Sequence, residues 1–393
     1  MTYEFGPYTL DPERYELARG SEVVPTEPQV FALLEFLIKN HDRVVSKDEV
    51  IEAIWDGRIV SDATLSSRIS AARQAVGDSG SRQTVIRTVS RRGFQFIAQI
   101  DGQTPSSLGE IEPETSSPQI RYCSTPDGID LPYAISGQGP TLIKVANWLN
   151  HLEHDWASPM WGPLFQTLSR DSSLLRYDSR GVGLANWEVG DIGFEDFVTD
   201  LETFIEANNQ AKFALLGISQ GAAIAIDYAA RNPDRVTHLI LWGGFARGRR
   251  MRGNEDNRAE SKAFVTLMRQ GWGKETSPFR DMFAALYLPE ASSEQIRWWT
   301  EIQRTGTSPD NAVLMREAID NIDVSHLLKK IGMPTLVLHS ERELVSPVSE
   351  ARFMAARIPH ARFVSLDSAN HLVMEQESAW KRALHEVQAF LSN

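Results

Sequence analysis

The 393-residue sequence predicts a multidomain protein. A small α+β unit over residues 1–100 is followed by a linker at 101–119. A larger α/β unit covers 120–393, with a mostly parallel sheet, helices on both faces and a helical cap at about 245–325. Three observations predict this. The chain is too long for one small domain. The stretch DGQTPSSLGEIEPETSSPQ (101–119) is rich in Pro, Ser, Thr and Glu and cannot bury enough apolar surface to fold alone. Beyond it, strand-like and helix-like runs alternate regularly.

In the first unit, short strand-like runs come first: Tyr3–Phe5, Tyr8–Leu10 and Tyr15–Leu17, broken by Gly6, Pro7 and Pro12. Thr26 and Gln29 form a capping-box pattern, and Val30, Leu33, Leu34, Leu37 and Ile38 follow at helical spacing. Ser46 and Glu49 repeat the pattern ahead of Val50, Ile51, Ile54 and Trp55. A third helix starts at Ser61 or Asp62, buries Leu65, Ile69, Ala72 and Val76, and stops at Gly77. Its opposite face carries Ser66, Ser67, Arg68, Ser70, Arg73 and Gln74. A hairpin follows, Val85–Val89 and Phe94–Ile97 around a turn at Ser90–Gly93.

Strands, three helices and a terminal hairpin are the parts of a winged helix-turn-helix. The overall net charge of −12 argues against nucleic acid as a partner, but its distribution does not. Between residues 68 and 92 stand Arg68, Arg73, Arg82, Arg87, Arg91 and Arg92 against Asp78 alone. The segments TEPQVFALLEFLIKN, RVVSKDEVIEAIW, VSDATLSSRISAARQAVGD and VIRTVSRRGFQFI resemble the effector domain of OmpR/PhoB-type response regulators. That resemblance implies double-stranded DNA as partner, residues 61–76 as recognition helix and Arg91-Arg92 as wing tip. Arg68 is then expected at a base or phosphate, Arg73, Arg91 and Arg92 at phosphates, and Ser66, Ser67 and Ser70 along the groove. With only two arginines on the helix, a homodimer on two half-sites is expected.

In the second unit, strands are predicted at Thr141–Ala146, Leu174–Tyr177, Lys212–Ile218, His238–Trp242, Thr335–His339 and Arg362–Leu366. The clearest helices are Phe194–Ala207 and Gln220–Arg231. From about Phe245 to Ser325 the rhythm breaks into a helical stretch rich in aromatics. Gly217-Ile-Ser219-Gln-Gly221 is a G-x-S-x-G pattern lying between an apolar strand and a helix, which is the context of a nucleophile elbow. The Gln220 N–H then points where an oxyanion forms, and the Trp148 or Leu149 N–H is the expected second donor.

A serine nucleophile needs a base. Of nine histidines, His371 follows the last strand and precedes the last helix. His326, His339, His360 and His385 fit ordinary core or surface roles. His151 and His154 have no further ligand set around them, so no metal site is expected. Glu343 follows the preceding strand and is the expected acid partner, with Glu341 as alternative. The order Ser219, Glu343, His371 is that of α/β-hydrolases.

The stretches NWLNHLEHDWASPMW, LLRYDSRGVGLA, ALLGISQGAAIAIDYAARNP and LILWGGFARGRR resemble α/β-hydrolases, in particular those fused to bacterial signalling modules such as adenylate cyclases and winged-helix regulators. By this resemblance Asp178 is structural rather than catalytic. The basic run Arg247, Arg249, Arg250 and Arg252 reads as a solvated cap entrance.

No apolar stretch suits a bilayer and no signal peptide is visible, so a cytoplasmic protein with no membrane partner is expected. The lone Cys123 rules out an intrachain disulfide and reads as a filler near a strand. No cofactor is expected. No receiver-type segment precedes the effector pattern, so the input is expected through the second unit. Three functions compete. The first is a one-component transcriptional regulator sensing a small molecule through the hydrolase-like unit. The second is a serine esterase or lactonase. The third is a regulator whose vestigial pocket serves dimerisation.

Overall fold

The computed structural model describes the chain except residues 1, 13, 21, 42, 56–61, 80–82, 90–92, 99, 102–117, 254, 275–276 and 393. At residues 48, 62, 63, 66, 89, 100, 101 and 280 it describes the backbone alone. The chain divides into two compact units, residues 1–114 and 115–393.

In the first unit, β1 (Tyr3–Phe5), β2 (Tyr8–Asp11), β3 (Glu16–Arg19) and β4 (Glu22–Val23) form an antiparallel meander. Then come α1 (Pro28–Lys39), α2 (Lys47–Trp55), α3 (Asp62–Ala75) and the hairpin β5 (Ile86–Val89) and β6 (Gly93–Phe96). The chain returns as β7 (Ile100–Asp101) beside β1, giving the sheet order β4-β3-β2-β1-β7. The expected stripes of α1 and α3 are buried, joined by Phe5, Leu10, Leu17, Phe31 and Phe96 in one core.

The capping pattern at Thr26 is not used. Pro28 takes the first helical position and holds Glu27 extended, with φ −63° and ψ 146°, so Glu27 is the N-cap. Thr26 Oγ1 instead donates to the Val24 carbonyl at 2.8 Å. The Ser46–Glu49 box does form: Glu49 N donates to Ser46 Oγ at 3.2 Å, and Ser46 N to Glu49 Oε2 at 2.8 Å. Ser61, one expected cap of α3, lies outside the described residues. Past α3, Gly77 adopts φ +67°, and a Cβ there would lie 2.6 Å from the Tyr8 hydroxyl.

The second unit opens with a hairpin the sequence reading did not place, β8 (Arg121–Ser124) and β9 (Asp130–Ser136). Pro132 inside β9 hid it, because proline ordinarily argues against a strand. The parallel strands are β10 (Thr141–Lys144), β11 (Ser173–Tyr177), β12 (Phe213–Ile218), β13 (Val236–Trp242), β14 (Thr335–Ser340) and β15 (Ala361–Leu366). The full order is β15-β14-β13-β12-β10-β11-β9-β8, with β9 antiparallel to β11. Helices α4 (Leu152–Trp156), α5 (Gly162–Asp171), α6 (Phe194–Ala207) and α7 (Gly221–Arg231) connect the first strands.

After β13 come a 3₁₀ turn (Arg249–Arg252) and the helices α8 (Glu255–Gly271), α9 (Pro278–Tyr287), α10 (Ser293–Thr305) and α11 (Pro309–Asp320). The last two helices are α12 (Val348–Ala355) and α13 (Ser378–Leu391). The loops after β12, β14 and β15 leave the carboxyl edge of the parallel sheet, where sheets of this kind hold their ligands. No helix among the described residues is long and apolar enough to cross a membrane.

Candidate active site and nucleic-acid interface

Every residue of β12 is buried, and the strand ends in a sharp turn into α7. Ser219 sits at that turn with φ +55°, a left-handed conformation that a non-glycine residue adopts only where its surroundings impose it. Its N–H is tied to the Trp242 carbonyl at 3.0 Å, and its own carbonyl accepts from Ala222 N at 3.1 Å. The turn is tight: a Cβ on Gly217 would lie 2.6 Å from both Ala222 Cα and the Gly221 carbonyl oxygen.

His371 and Glu343 meet as the sequence order suggested. His371 Nδ1 lies 2.9 Å from Glu343 Oε2, both side chains being buried. The same oxygen accepts from the backbone N–H groups of Val345 (3.0 Å) and Ser346 (3.1 Å). Burial opposes the charge on Glu343, but His371 and His339 outweigh it and hold the carboxyl down at about 2. A permanent carboxylate at Nδ1 selects the tautomer that carries its proton there, leaving Nε2 as acceptor. Nε2 makes no hydrogen bond among the described residues. Glu341, the alternative acid, is exposed and pairs with Arg352 and Ser365.

Two neighbours were not foreseen. His339, at the end of β14, is fully buried, with Nε2 2.9 Å from both the Ser346 carbonyl and Glu343 Oε1. Its bond is to the carbonyl, which fixes the loop that presents Glu343. A histidine in an apolar strand carries no sequence signal for this. Tyr287 of α9 accepts the His371 N–H on its carbonyl at 2.8 Å and sets its ring edge-on to the imidazole at 5.4 Å. The cap therefore positions His371.

Ser219, His371, Trp148 and Asn147 line one cavity, closed by Met160, Trp161, Tyr287, Leu288, Trp299 and Leu372. The Gln220 N–H has no acceptor among the described residues, as an oxyanion donor requires. Trp148 is buried against Trp272 and Phe283 of the cap, and Leu149 takes φ +57°. Asn147 accepts from the buried Lys144 ammonium, which also lies 5.2 Å from the Trp161 ring. The cap aromatics thus divide: Tyr287 and Trp299 face the cavity, while Phe264, Trp272 and Phe283 fill the core around it.

Asp178 accepts from Leu152 N, Leu184 N and Asn150 Nδ2, which ties the loop after β11 to the loop after β10. His151 caps α4 and accepts from His154 N at 3.4 Å. No group of acidic, histidine or cysteine side chains among the described residues is arranged to hold a metal ion.

On α3, Ser67 and Ser70 are exposed and Arg68 is half-buried; nothing is described of the Ser66 side chain. Arg68 Nη1 pairs with Glu27, an exposed acid whose hold is weak. Arg73 corrects the reading. It is 6% exposed, and its Nε and Nη2 donate to the Ile86 carbonyl at 3.0 and 2.9 Å, with Nη2 also on Thr88 Oγ1 at 2.7 Å. It follows Ala72 on the buried side and braces the hairpin, so it is not offered to phosphate. Arg91 and Arg92 lie outside the described residues. Arg73→Ala is expected to destabilise the first unit by about 2–3 kcal/mol, since it leaves a buried carbonyl unsatisfied. Chemical denaturation of the variant measures this; unchanged stability with weakened DNA binding would return Arg73 to the interface.

The family model "alpha/beta hydrolase fold" matches residues 152–378. The chain belongs to the α/β-hydrolase fold family. The model "Transcriptional regulatory protein, C terminal" matches residues 20–96, so an OmpR/PhoB-type winged-helix DNA-binding domain precedes the hydrolase domain. Among curated relatives, the pyrrolizixenacetamide deacetylase of Xenorhabdus hominickii is 25% identical over 242 residues, 61% of this chain and 86% of the relative. The pimeloyl-[acyl-carrier protein] methyl ester esterase of Nitrosomonas europaea is 23% identical, covering 60% of this chain and 90% of its own. The enol-lactonase of Burkholderia xenovorans LB400 superposes with a TM-score of 0.56 at 21% identity, over 70% of this chain and 100% of its own; that likeness concerns the fold.

Proposed function

We propose that the protein is a one-component transcriptional regulator whose hydrolase domain takes up, and hydrolyses, a small ester or lactone. The observation that carries this reading is the buried His371–Glu343 pair, whose His371 lines one cavity with Ser219 on its left-handed turn. In this reading Ser219 Oγ attacks the substrate carbonyl and His371 Nε2 takes its proton. The oxyanion lies on the N–H groups of Gln220 and of Trp148 or Leu149. The alcohol leaves with the proton from His371, and water then cleaves the acyl-serine by the same route. The deacetylase and the methyl ester esterase among the relatives support acyl-transfer chemistry of this class.

Regulation follows by linkage. A ligand alters DNA binding only so far as it favours one state of the chain over another. Conversion to product ends or creates the signal. A second reading, binding without turnover, draws on the absence of a hydrogen bond from the Ser219 hydroxyl to His371 Nε2. Apo sites often show such loose contacts, which tighten around substrate.

A fluorophosphonate probe separates the two. The wild-type chain is expected to label stoichiometrically and Ser219→Ala not at all. A folded wild type that resists labelling would sink the hydrolase reading and leave the binding one. In a reporter strain, Ser219→Ala tests whether the response needs turnover or occupancy alone.

A further inference from the structure

The basic run at the root of the cap is half-buried rather than freely solvated. Ser219 has a second arm of cavity beside it, lined by Gln220, Trp148 and Tyr287 and by three arginines, Arg249, Arg252 and Arg316. Arg249 and Arg252 come from the 3₁₀ turn after β13, and Arg316 from α11.

Acidic groups balance these cations only in part. Arg316 pairs with Asp320, Nη2 to Oδ1 at 2.5 Å, but its buried Nε has no hydrogen-bond partner among the described residues. Asp320 also accepts from Ser261 Oγ at 2.5 Å. Arg249 lies 3.5 Å from Glu260, an acid whose side chain is largely exposed. Arg252 donates from Nε to the Arg247 carbonyl at 3.0 Å, and its terminal nitrogens have no hydrogen-bond or ion-pair partner among the described residues. The nearby Glu350 is held by Arg247, Nη2 to Oε1 at 2.6 Å. The arm thus presents three guanidinium groups to one lining carboxylate. Burying surplus cations opposes folding, and an arriving anion offsets that cost. The planar fork of arginine matches a carboxylate in two-point geometry.

The other arm, on the His371 side, is walled by Met160, Trp161, Leu288, Trp299 and Leu372 and is almost wholly apolar. We propose that the arginine arm is a carboxylate subsite. The substrate is then an ester or lactone with a free carboxylate on one side of the scissile carbonyl and an apolar group on the other. This rests on reading Ser219 as the nucleophile. The two arms meet at Ser219, so such a molecule is held by both ends with its carbonyl at the hydroxyl.

The test compares monomethyl and dimethyl esters of glutaric and adipic acid as substrates of the full chain. Wild type is expected to favour the monoacid ester in kcat/KM by about 10–100-fold, the effect of one or two charge-assisted hydrogen bonds. In Arg252→Gln and Arg249→Gln that preference should collapse toward one, chiefly through KM. Equal or better turnover of the neutral diester by wild type would overturn the subsite, as would an unchanged preference in both variants. Binding of glutarate to Ser219→Ala, followed by tryptophan fluorescence, keeps the two readings apart. Arginine-dependent binding with no turnover of any ester by wild type retains the subsite and removes the nucleophile. Turnover that depends on Ser219, with no glutarate binding, does the reverse.

Discussion

Glu343→Gln is expected to lower kcat for an activated aryl ester by about 10³–10⁴-fold, with KM little changed. The reason lies in the tautomer. Glu343 Oε2 receives the His371 Nδ1 proton at 2.9 Å and is kept ionised by its surroundings. An amide at that position can turn its NH₂ toward Nδ1, forcing the imidazole proton to Nε2. His371 then has no lone pair for the Ser219 proton. The Val345 and Ser346 N–H groups still require an acceptor, so the amide oxygen is drawn to them and its nitrogen to the histidine. Glu343→Asp separates this positioning role from simple damage. It retains the charge one methylene short and should recover most of the loss. A variant pair in which Asp is as poor as Gln, with intact stability, would show that the carboxylate does not act through His371.

Asp78→Ala should destabilise the winged-helix unit by about 3 kcal/mol, more than a hundredfold in its folding equilibrium. The carboxylate is 4% exposed and accepts from four backbone N–H groups: Ser79, Thr84, Val85 and Ile86. Those bonds anchor the start of β5 to the end of α3. Burial works against its charge, but the four donors prevail and hold the carboxyl well below the usual range. The folded-state value being depressed, this stability is full above the unfolded carboxyl value near pH 4 and is lost as pH falls below it. Hydrogen exchange over residues 84–96 in the full chain reads the effect. Protection there should fall in Asp78→Ala at pH 7. Wild type should show the same loss on acidification. Equal protection in both chains at pH 7 would refute the anchoring role.

Both basic features of the chain invited a surface reading, and the structure treats each differently. Arg73 of α3 is expected on the free face, although it stands one turn beyond buried Ile69, at the edge of the buried stripe. Yet the long side chain reaches back to Ile86 and Thr88 on the hairpin. A side chain of that length crosses the boundary that residue spacing draws. The run at 247–252 has no amphipathic period at all, and only the closure of the cap turns Arg249 and Arg252 toward Ser219. Ser67 and Ser70, by contrast, are exposed as their spacing required.

By itself the sequence determined the two-part order of the chain, most strands and helices, the elbow at Ser219, and Glu343 and His371 as the residues after the last two strands. These are local matters: periodicity, turn-forming glycines, and the position of a residue at a strand end within a repeated strand–helix rhythm. Only the tertiary structure decided which neighbours complete the site. His339 beneath Glu343, Tyr287 over His371 and the arginines beside Ser219 come from segments that are distant along the chain or silent in pattern. Their meeting depends on how the cap packs on the sheet, and contacts between remote segments leave no periodic signature in either one.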